Sequence, residues 1–168
     1  MLVVLSGLPG SGKSAIADAL GRRLPATVLS VDPIEAAIWR CGIPPSFETG
    51  VAAYEVAVVL AEDHLRLGQR VVGDAVNSLE VARAMWRRAA RRAGAPVRII
   101  EVVCTDAEVH RRRLAGRVRT IDGFPEPTWD EVVARRDEWE AWQEERLVLD
   151  STEPLAANAD RALAYVER

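Results

Sequence analysis

Cysteine and histidine are scarce in this sequence. The 168 residues include only Cys41, Cys104, His64 and His110, and no two of these stand at the spacing of metal ligands. Neither a disulfide framework nor a metal site built from these residues is therefore expected. We interpret both cysteines as small apolar residues that are buried or half-buried.

Long apolar runs are absent as well. No run approaches the roughly 20 residues of a membrane-spanning helix, and the chain starts on a strand-like segment without a basic leader or a cleavage site. We therefore expect a cytoplasmic protein with no membrane partner. The net charge of −3 gives no general attraction to nucleic acid, and a composition of 49% hydrophobic and 28% charged residues suits one domain over residues 1–168.

Lysine is nearly absent. Lys13 is the only lysine, and the other residues among the 22 lysines and arginines are all arginine. This lysine belongs to a motif between the apolar run Leu2–Leu5 and a helical pattern from Ala15 to Leu24. The motif fits G-x-x-x-x-G-K-[ST] with a strand before it and a helix after it. Its residues, here called the phosphate loop, are Gly7, Leu8, Pro9, Gly10, Ser11, Gly12, Lys13 and Ser14.

The residue types of this loop are those that bind the phosphates of ATP. Glycines let backbone N–H groups face a phosphate, and the following helix adds its N-terminal dipole. Lys13 is expected to reach the β- and γ-phosphates, and the Ser14 hydroxyl to hold Mg²⁺.

Two alternatives to a phosphate loop remain open at this point. One is a glycine-rich turn without function. The other is a dinucleotide-binding fold, since Gly10-x-Gly12-x-x-Ala15 fits G-x-G-x-x-G/A and Asp32 follows at a suitable distance. The dinucleotide pattern explains neither Gly7 nor the adjacent lysine and serine.

An acidic residue follows the second predicted strand, Thr27–Val31. Asp32 would lie at the carboxyl end of a parallel strand, where open α/β sheets bind ligands, and could accept the proton of an attacking hydroxyl. It also fits the N-cap of the next helix, with Pro33 at the first helical position and Glu35 completing a capping box. The two roles are compatible, since a carboxylate has several lone pairs.

The third predicted strand, Val71–Asp74, also ends in an acid. Asp74 suits a position that holds magnesium or binds the substrate. The alternative is a polar turn in which Asn77 and Ser78 cap the next helix. We count Asp74 and Asn77 among the candidate substrate residues, together with Trp39, whose alternative role is packing in the core.

Arginines on the helix predicted from Leu79 to Ala93 share one face. Arg83, Arg87 and Arg91 are four residues apart. They form either a solvated face or a track for a polyanion such as nucleic acid.

A second arginine cluster has five members within residues 111–119 and surrounds Gly116. We expect an Arg-rich lid over about 111–127 that closes cations over a triphosphate, with Arg113 and Arg117 as its main contributors. The lid would spread the negative charge of a transferring phosphoryl group.

The end of the chain completes an alternating pattern. A T-x-x-E capping box at Thr128–Glu131 predicts a helix to about Glu145, and Leu147–Asp150 predicts a fifth strand. Strands alternate with helices along the chain, which predicts an α/β fold with a five-stranded parallel sheet covered by helices on both faces.

Together these residues resemble the small P-loop kinases that group with polynucleotide kinase, chloramphenicol phosphotransferase and zeta-type toxins. The resemblance rests on the phosphate loop and, more weakly, on Asp32, Asp74, the Arg113-Leu114-x-x-Arg117 pattern and Leu149–Thr152. It implies a P-loop NTPase fold with the phosphate-loop strand at the centre of the sheet and a catalytic base at Asp32. It also implies adenine packed against the lid and the loop after the fifth strand.

One position departs from that group. Its polynucleotide-kinase-like members often carry an arginine three residues after the strand-two aspartate, where this chain has Glu35. An acid there disfavours an anionic group beside the acceptor hydroxyl and favours an amine.

The resulting hypothesis is Mg²⁺- and ATP-dependent transfer of the γ-phosphate to a hydroxyl of a small molecule. The catalytic candidates are Lys13, Asp32, Arg113 and Arg117. The alternatives are a kinase of nucleic-acid 5′-hydroxyls and an NTPase switch without a small-molecule acceptor. The oligomeric state stays open, a homodimer included.

Overall fold

The computed structural model of this protein describes residues 1–117 and 121–168. Within these ranges the chain forms an all-parallel five-stranded sheet in the order β2-β3-β1-β4-β5. The strands are β1 (Leu2–Ser6), β2 (Ala26–Ser30), β3 (Arg70–Asp74), β4 (Val97–Val103) and β5 (Leu147–Asp150). The predicted fold class is confirmed, and the strand that precedes the phosphate loop is the central one.

Helices connect the strands and cover the sheet. They are α1 (Lys13–Arg23), α2 (Val31–Arg40), α3 (Phe47–Arg66), α4 (Glu80–Arg92), α5 (Ala107–Ala115), α6 (Trp129–Asp137) and α7 (Leu155–Val166). In the described part of the chain, none of these helices has the length and apolar character needed to cross a bilayer.

The central strand β1 separates two hydrophobic cores. Successive side chains of a strand point to opposite faces, so Leu2 and Val4 pack with α2, α3 and α4, while Val3 and Leu5 pack with α1 and α7. All four side chains are buried. This double burial explains why β1 is a continuous apolar run.

The strand order decides between the phosphate loop and the dinucleotide alternative. In the usual dinucleotide-binding order, the second strand lies next to the first. Here β3 lies between β2 and β1, and Asp74 at its end pairs in register with Leu5 on one side and Ser30 on the other. The dinucleotide alternative is therefore wrong, and Asp74 lies beside the start of the phosphate loop.

Helix α2 begins earlier than predicted. Ser30 is its N-cap residue, Val31 is the first helical residue and Asp32 is the second. The predicted N-cap role of Asp32 is wrong, because β2 passes directly into the helix. Glu35 does not complete a capping box either, and its carboxylate accepts a hydrogen bond from Thr49.

Helix α6 is shorter than predicted, since it ends at Asp137 rather than near Glu145. The chain beyond it is held by the buried guanidinium of Arg83, which donates to the carbonyls of Glu140 at 2.8 Å and Ala141 at 3.3 Å. The same guanidinium lies over the ring of Trp142 at 3.8 Å. These carbonyls are bonded to a side chain and not to the backbone of a continued helix.

The predicted lid falls partly outside the described residues, because residues 118–120, and Arg119 with them, are not described. The first residues of the predicted lid belong to helix α5, and its last residues, 121–127, form a loop that precedes α6. The closing of an Arg-rich lid stays a prediction.

Candidate functional site

The phosphate loop joins β1 to α1 and depends on its glycines. Gly10 and Gly12 have φ values of 80° and 95°, in the region that residues with a Cβ rarely adopt. A Cβ at Gly7 would overlap the carbonyl oxygen of Val102 and the hydroxyl of Ser11. The loop therefore needs glycine for its turns and for its close approach to β4.

Helix α5 packs against the phosphate loop. His110 is 5% exposed, and its Nε2 donates to the carbonyl of Pro9 at 2.8 Å. Leu114, one turn later, would lie 3.3 Å from a Cβ at Gly10. No role was predicted for His110, although its four-residue spacing from Leu114 places both side chains on one helix face.

A cavity of about 430 Å³ opens on one side of the loop. Lys13 lines it and is only 4% exposed, although its side chain is charged. Arg113 donates to the Ser151 hydroxyl at 2.9 Å, which joins α5 to the loop after β5. Arg117 lies 3.6 Å from Glu126. The complete lining consists of Gly10, Gly12, Lys13, Ser14, Ala15, Arg113, Gly116 and Arg117.

This cavity brings together most of the residues that the sequence predicted to bind ATP. The predicted cations Lys13, Arg113 and Arg117 share it with Ser14, the predicted magnesium ligand. Three basic side chains around a glycine loop suit a polyphosphate. Of the other predicted loop residues, Gly7, Leu8 and Ser11 face away from this cavity and line a different one.

Asp74 is buried beside the loop and has one unpaired oxygen. It is 5% exposed, and its Oδ2 accepts from the Ser30 hydroxyl at 3.1 Å. Its buried Oδ1 has no hydrogen-bond partner among the described residues. Because a buried, unpaired carboxylate oxygen is costly, this atom is a candidate ligand for a cation.

The oxygen donors near the loop fit magnesium. Ser14 supplies a hydroxyl and Asp74 a carboxylate, and Mg²⁺ binds through one or two protein oxygens while keeping several waters. In the described ranges, no cluster of three or more His, Cys, Asp or Glu side chains could hold a metal. A site with few protein ligands is therefore the one these residues fit.

Acidic side chains gather at the carboxyl ends of β2 and β3. Asp32 lies half-buried in the first turn of α2, and Glu35 accepts from the Thr49 hydroxyl at 3.2 Å. Burial raises the pKa of Glu35 and the nearby Asp32 raises it further, whereas the Thr49 hydrogen bond and Arg135 lower it. Arg135 of α6 thus acts on this cluster, and the sequence did not single it out.

Tyr54 of α3 lies in the same cluster. Burial raises its pKa, the hydrogen bond from the Asn77 N–H lowers it, and Asp32 and Asp74 raise it further. That N–H donates to the phenol oxygen at 3.2 Å. Tyr54 is therefore a neutral hydroxyl among carboxylates and can donate a hydrogen bond to a ligand.

Asn77 has a structural environment. It is fully buried with a φ of 52°, its Nδ2 donates to the Leu5 carbonyl at 2.7 Å, and its Oδ1 accepts from Trp86 Nε1 at 3.0 Å. The Trp86 ring would lie 2.9 Å from a Cβ at Gly73, which explains the glycine inside β3. The side chain of Asn77 is therefore not available to a substrate, contrary to the prediction. Asn77 and Ser78 do not cap α4 either, because the N-cap residue of that helix is Leu79.

Trp39 lies at the edge of the acidic cluster and outside both cores. Its Nε1 donates to the Thr49 hydroxyl at 3.0 Å, and its ring stacks on Phe124 with centroids 4.6 Å apart and planes 7° apart. Arg40, the next residue, donates to the carbonyl of Asp122 at 3.2 Å. The loop before α6 therefore rests on α2 beside the candidate acceptor residues.

The predicted polyanion track on α4 does not form. Arg83 is 1% exposed and donates to backbone carbonyls, including that of Asn77 at 2.9 Å. Arg87 is paired with both Glu80 and Glu144. Only Arg91 of the three predicted track residues is exposed. Of these three arginines, only Arg91 fits the alternative of a solvated face, because Arg83 is buried and Arg87 is paired with glutamates.

Comparisons with known proteins agree with this architecture. The family model AAA_33, described as an AAA domain, matches residues 2–139. No curated protein matches the chain. The narrower resemblance to the polynucleotide kinase and chloramphenicol phosphotransferase group stays a prediction.

Three solved structures illustrate the shared fold. A sugar kinase from Janibacter sp. HTCC2649 has a TM-score of 0.72 at 20% identity, over 99% of this chain and 94% of that one. The APS kinase CysC of Mycobacterium tuberculosis, in complex with AMPPNP and APS, has a TM-score of 0.72 at 20% identity, over 99% and 97%. A gluconokinase from Sinorhizobium meliloti 1021 has a TM-score of 0.68 at 19% identity, over 99% and 91%.

Proposed function

Since the chain belongs to the AAA_33 family of AAA domains, we propose that it transfers the γ-phosphate of ATP to a hydroxyl of a small molecule. The observation that carries this proposal is the cavity on the phosphate loop, where Lys13, Arg113 and Arg117 converge. The similar solved structures support it, because they include a sugar kinase, an APS kinase and a gluconokinase.

The phosphate loop and its cations would position the triphosphate. Phosphoryl transfer passes through a loose transition state, so positioning and charge stabilisation supply most of the rate. Lys13 would contact the β- and γ-phosphates, and Arg113 and Arg117 would stabilise the charge that develops on the transferring group. The bond from Arg113 to Ser151 would also hold the loop after β5, where the resemblance places adenine.

Ser14 and Asp74 would hold the magnesium ion. The ion, when bound, neutralises charge on the β- and γ-phosphate oxygens. Asp74 suits this role because its buried Oδ1 lacks a hydrogen-bond partner in the described part of the chain. Its Oδ2 is held by Ser30, which fixes the direction of the carboxylate.

Asp32 would orient and deprotonate the acceptor hydroxyl. It lies in the first turn of α2, one strand away from Asp74, and it lowers the acidity of both Glu35 and Tyr54. A carboxylate within hydrogen-bond reach of the hydroxyl is the usual base in such transfers. Tyr54, held neutral, would donate to an oxygen of the acceptor.

The charges around Asp32 favour a neutral or cationic acceptor. Glu35 adds negative potential beside Asp32, and Arg135 is a cation that acts on the same cluster, because it lowers the pKa values of Glu35 and Tyr54. An anionic group next to the reacting hydroxyl would be repelled. A polyhydroxyl compound or an amino alcohol therefore fits better than a sugar phosphate.

Phosphate transfer can be followed with γ-labelled ATP and Mg²⁺. The protein is incubated with a small-molecule extract, with mixed oligonucleotides, or with neither, and the labelled products are separated. Label on a small compound is the expected result, and fractionating that compound on anion- and cation-exchange resins tests the predicted charge of the acceptor. Lys13→Ala in parallel identifies transfer by a contaminating kinase.

The other outcomes would replace the proposal. Label on oligonucleotides would favour the nucleic-acid kinase. Label that appears only as free phosphate, whatever is added, would favour an NTPase switch and remove the base role of Asp32.

A further inference from the structure

A second cavity, of about 450 Å³, lies against a different side of the phosphate loop. Gly7, Leu8 and Ser11 of the loop form one of its walls, whereas Gly10 and Gly12 line the charged cavity. The remaining walls come from the end of β4 and the residues after it, from helices α5 and α6, and from Trp139 just beyond α6. The proposed phosphate transfer uses none of this space.

Flat apolar side chains dominate the lining of this second cavity. Trp129 and Trp139 contribute indole rings, and Val132 and Val133 contribute branched aliphatic groups. The Trp129 ring stands edge-on to His110, with centroids 5.2 Å apart and planes at 88°. These walls suit an aromatic ring, because aromatic pairs stack or meet edge to face.

Two polar groups in the lining point to a ligand. Ser11 is 1% exposed, and its hydroxyl has no hydrogen-bond partner among the described residues. Arg136 places an exposed guanidinium at the rim, where Asp137 lies 3.8 Å away. The carboxylate of Glu101 in the same lining is already paired with Arg146. Thr105 and His110 in the lining are likewise bonded, to Asp150 and to the Pro9 carbonyl. Among the described lining residues, the Ser11 hydroxyl and the Arg136 guanidinium are therefore the groups proposed to meet a ligand.

We propose that this second cavity binds a flat aromatic molecule with one acidic or hydrogen-bond-accepting substituent, and that its occupancy changes nucleotide affinity. The volume lies in the range of small-molecule sites, about 300–1,000 Å³. The ring would pack between the indoles and valines, and the substituent would face Ser11 or Arg136. The two cavities share the phosphate loop as a wall. A ligand in the second cavity would therefore change the conformation or mobility of the loop that binds the nucleotide.

The aromatic sulfonate dye 8-anilinonaphthalene-1-sulfonate has this chemistry and serves as the probe. It is titrated into the full chain with and without saturating Mg²⁺ and AMPPNP, and its fluorescence is recorded. We expect saturation at one dye per chain in both series. Saturating dye should change the dissociation constant of AMPPNP by about fivefold or more, and linkage requires the same factor in reverse.

Variants that fill the cavity locate the dye. Val133→Trp places an indole inside it, and Ala107→Trp places one at its mouth, where the exposed position spares the fold. Val81→Trp is the matched control, because it adds the same indole to a side chain that is 67% exposed on α4. Each filling variant should weaken dye binding about tenfold or more, a loss of about 1.4 kcal/mol, while the control binds like the wild type.

Cooperative thermal unfolding shows which variants are folded. If Val133→Trp is not folded, the result for Ala107→Trp decides. Dye binding that is unchanged in the folded filling variants would overturn the proposed site. An AMPPNP affinity that saturating dye leaves unchanged would overturn the proposed coupling. Every readout is a binding measurement, so the test stays valid if the protein binds nucleotide but transfers no phosphate.

Discussion

The two cavities on the phosphate loop have nearly the same size and opposite chemistry. The cavity with Lys13, Arg113 and Arg117 measures about 430 Å³, and the one with Trp129 and Trp139 about 450 Å³. Both use the backbone of one loop as a wall. Because the loop is common to both cavities, the difference in their chemistry comes from the side chains around it.

Helix α5 produces much of this difference. Arg113 and Gly116 border the charged cavity, whereas Ala107 and His110 border the apolar one. The two pairs lie at different ends of the helix, so its N-terminal half borders the apolar cavity and its C-terminal end, with the C-cap Gly116, borders the charged one.

The largest effect is expected from Lys13→Ala, which removes the buried cation of the charged cavity. Transfer of labelled phosphate should fall by at least about 100-fold, since a pre-organised positive charge at the transferring group is lost. Dye binding to the apolar cavity should stay as in the wild type. Arg22→Ala, an exposed cation in the last turn of the same helix, is the control. Activity of Lys13→Ala within tenfold of that control would contradict the assignment.

Asp32→Asn should separate chemistry from nucleotide binding. Turnover is expected to fall by about 100- to 10,000-fold, the usual contribution of a general base, while ATP affinity measured by calorimetry should stay close to that of the wild type. Asp18→Asn, at an exposed position of α1, controls for the loss of one negative charge. Equal turnover in Asp32→Asn and the wild type would show that Asp32 is not the base.

Arg83→Met should destabilise the chain segment that lines the apolar cavity and leave the charged cavity unchanged. Removing the guanidinium leaves several buried carbonyls without their donor, so the free energy of unfolding should fall by about 2–4 kcal/mol. Urea denaturation measures this change. Because Arg83 holds the chain around Trp139 and Trp142, dye binding should weaken while AMPPNP affinity is kept. An equal loss of stability in Arg91→Met, which lies exposed on the same helix, would argue against a specific network.

The smallest effect is expected from Glu35→Gln and depends on pH. The folded-state pKa of Glu35 is raised above its ordinary value of 4.5, mainly by burial. The folded protein therefore holds this proton more tightly than the unfolded chain, and stability falls as pH rises from 4.5 through the folded pKa. Glutamine stays neutral and still accepts from Thr49, so the variant should gain stability relative to the wild type between pH 4 and pH 7.

Glu48→Gln supplies the comparison of opposite sign. Hydrogen bonds from its own backbone N–H and from Ser46 lower the pKa of Glu48. Its charged form therefore stabilises the folded protein, and this contribution is lost as pH falls. Thermal melting of both variants at pH 4 and pH 7 should show opposite trends. Parallel trends would contradict the environment assigned to Glu35.

Features that depend on neighbouring residues were predictable from the sequence. The phosphate loop, the strand before it and the helix after it follow from a local pattern, because glycine conformation and helix N-terminal donors are properties of a few consecutive residues. The helix from Glu80 to Arg92 was predicted from Leu79 to Ala93, within one residue at each end, because a helical pattern of this length also depends on nearby residues.

Features that depend on distant residues were predicted less well. Asp74 ends β3 and Asn77 follows it, and both were candidate substrate residues, but the side chain of Asn77 is hydrogen-bonded to Trp86 and Leu5. The end of α6 was missed because Arg83, more than 50 residues earlier, binds the carbonyls beyond it. Such contacts leave no periodic signal in the sequence.

The alternation of strands and helices and the phosphate loop follow from the amino-acid sequence alone. The position of β3 between β2 and β1, the burial of Arg83 and the unpaired oxygen of Asp74 follow from the packing of the folded chain. Backbone conformation depends mainly on a residue and its neighbours in the chain. Burial and hydrogen-bond satisfaction depend on which distant side chains the sheet brings together.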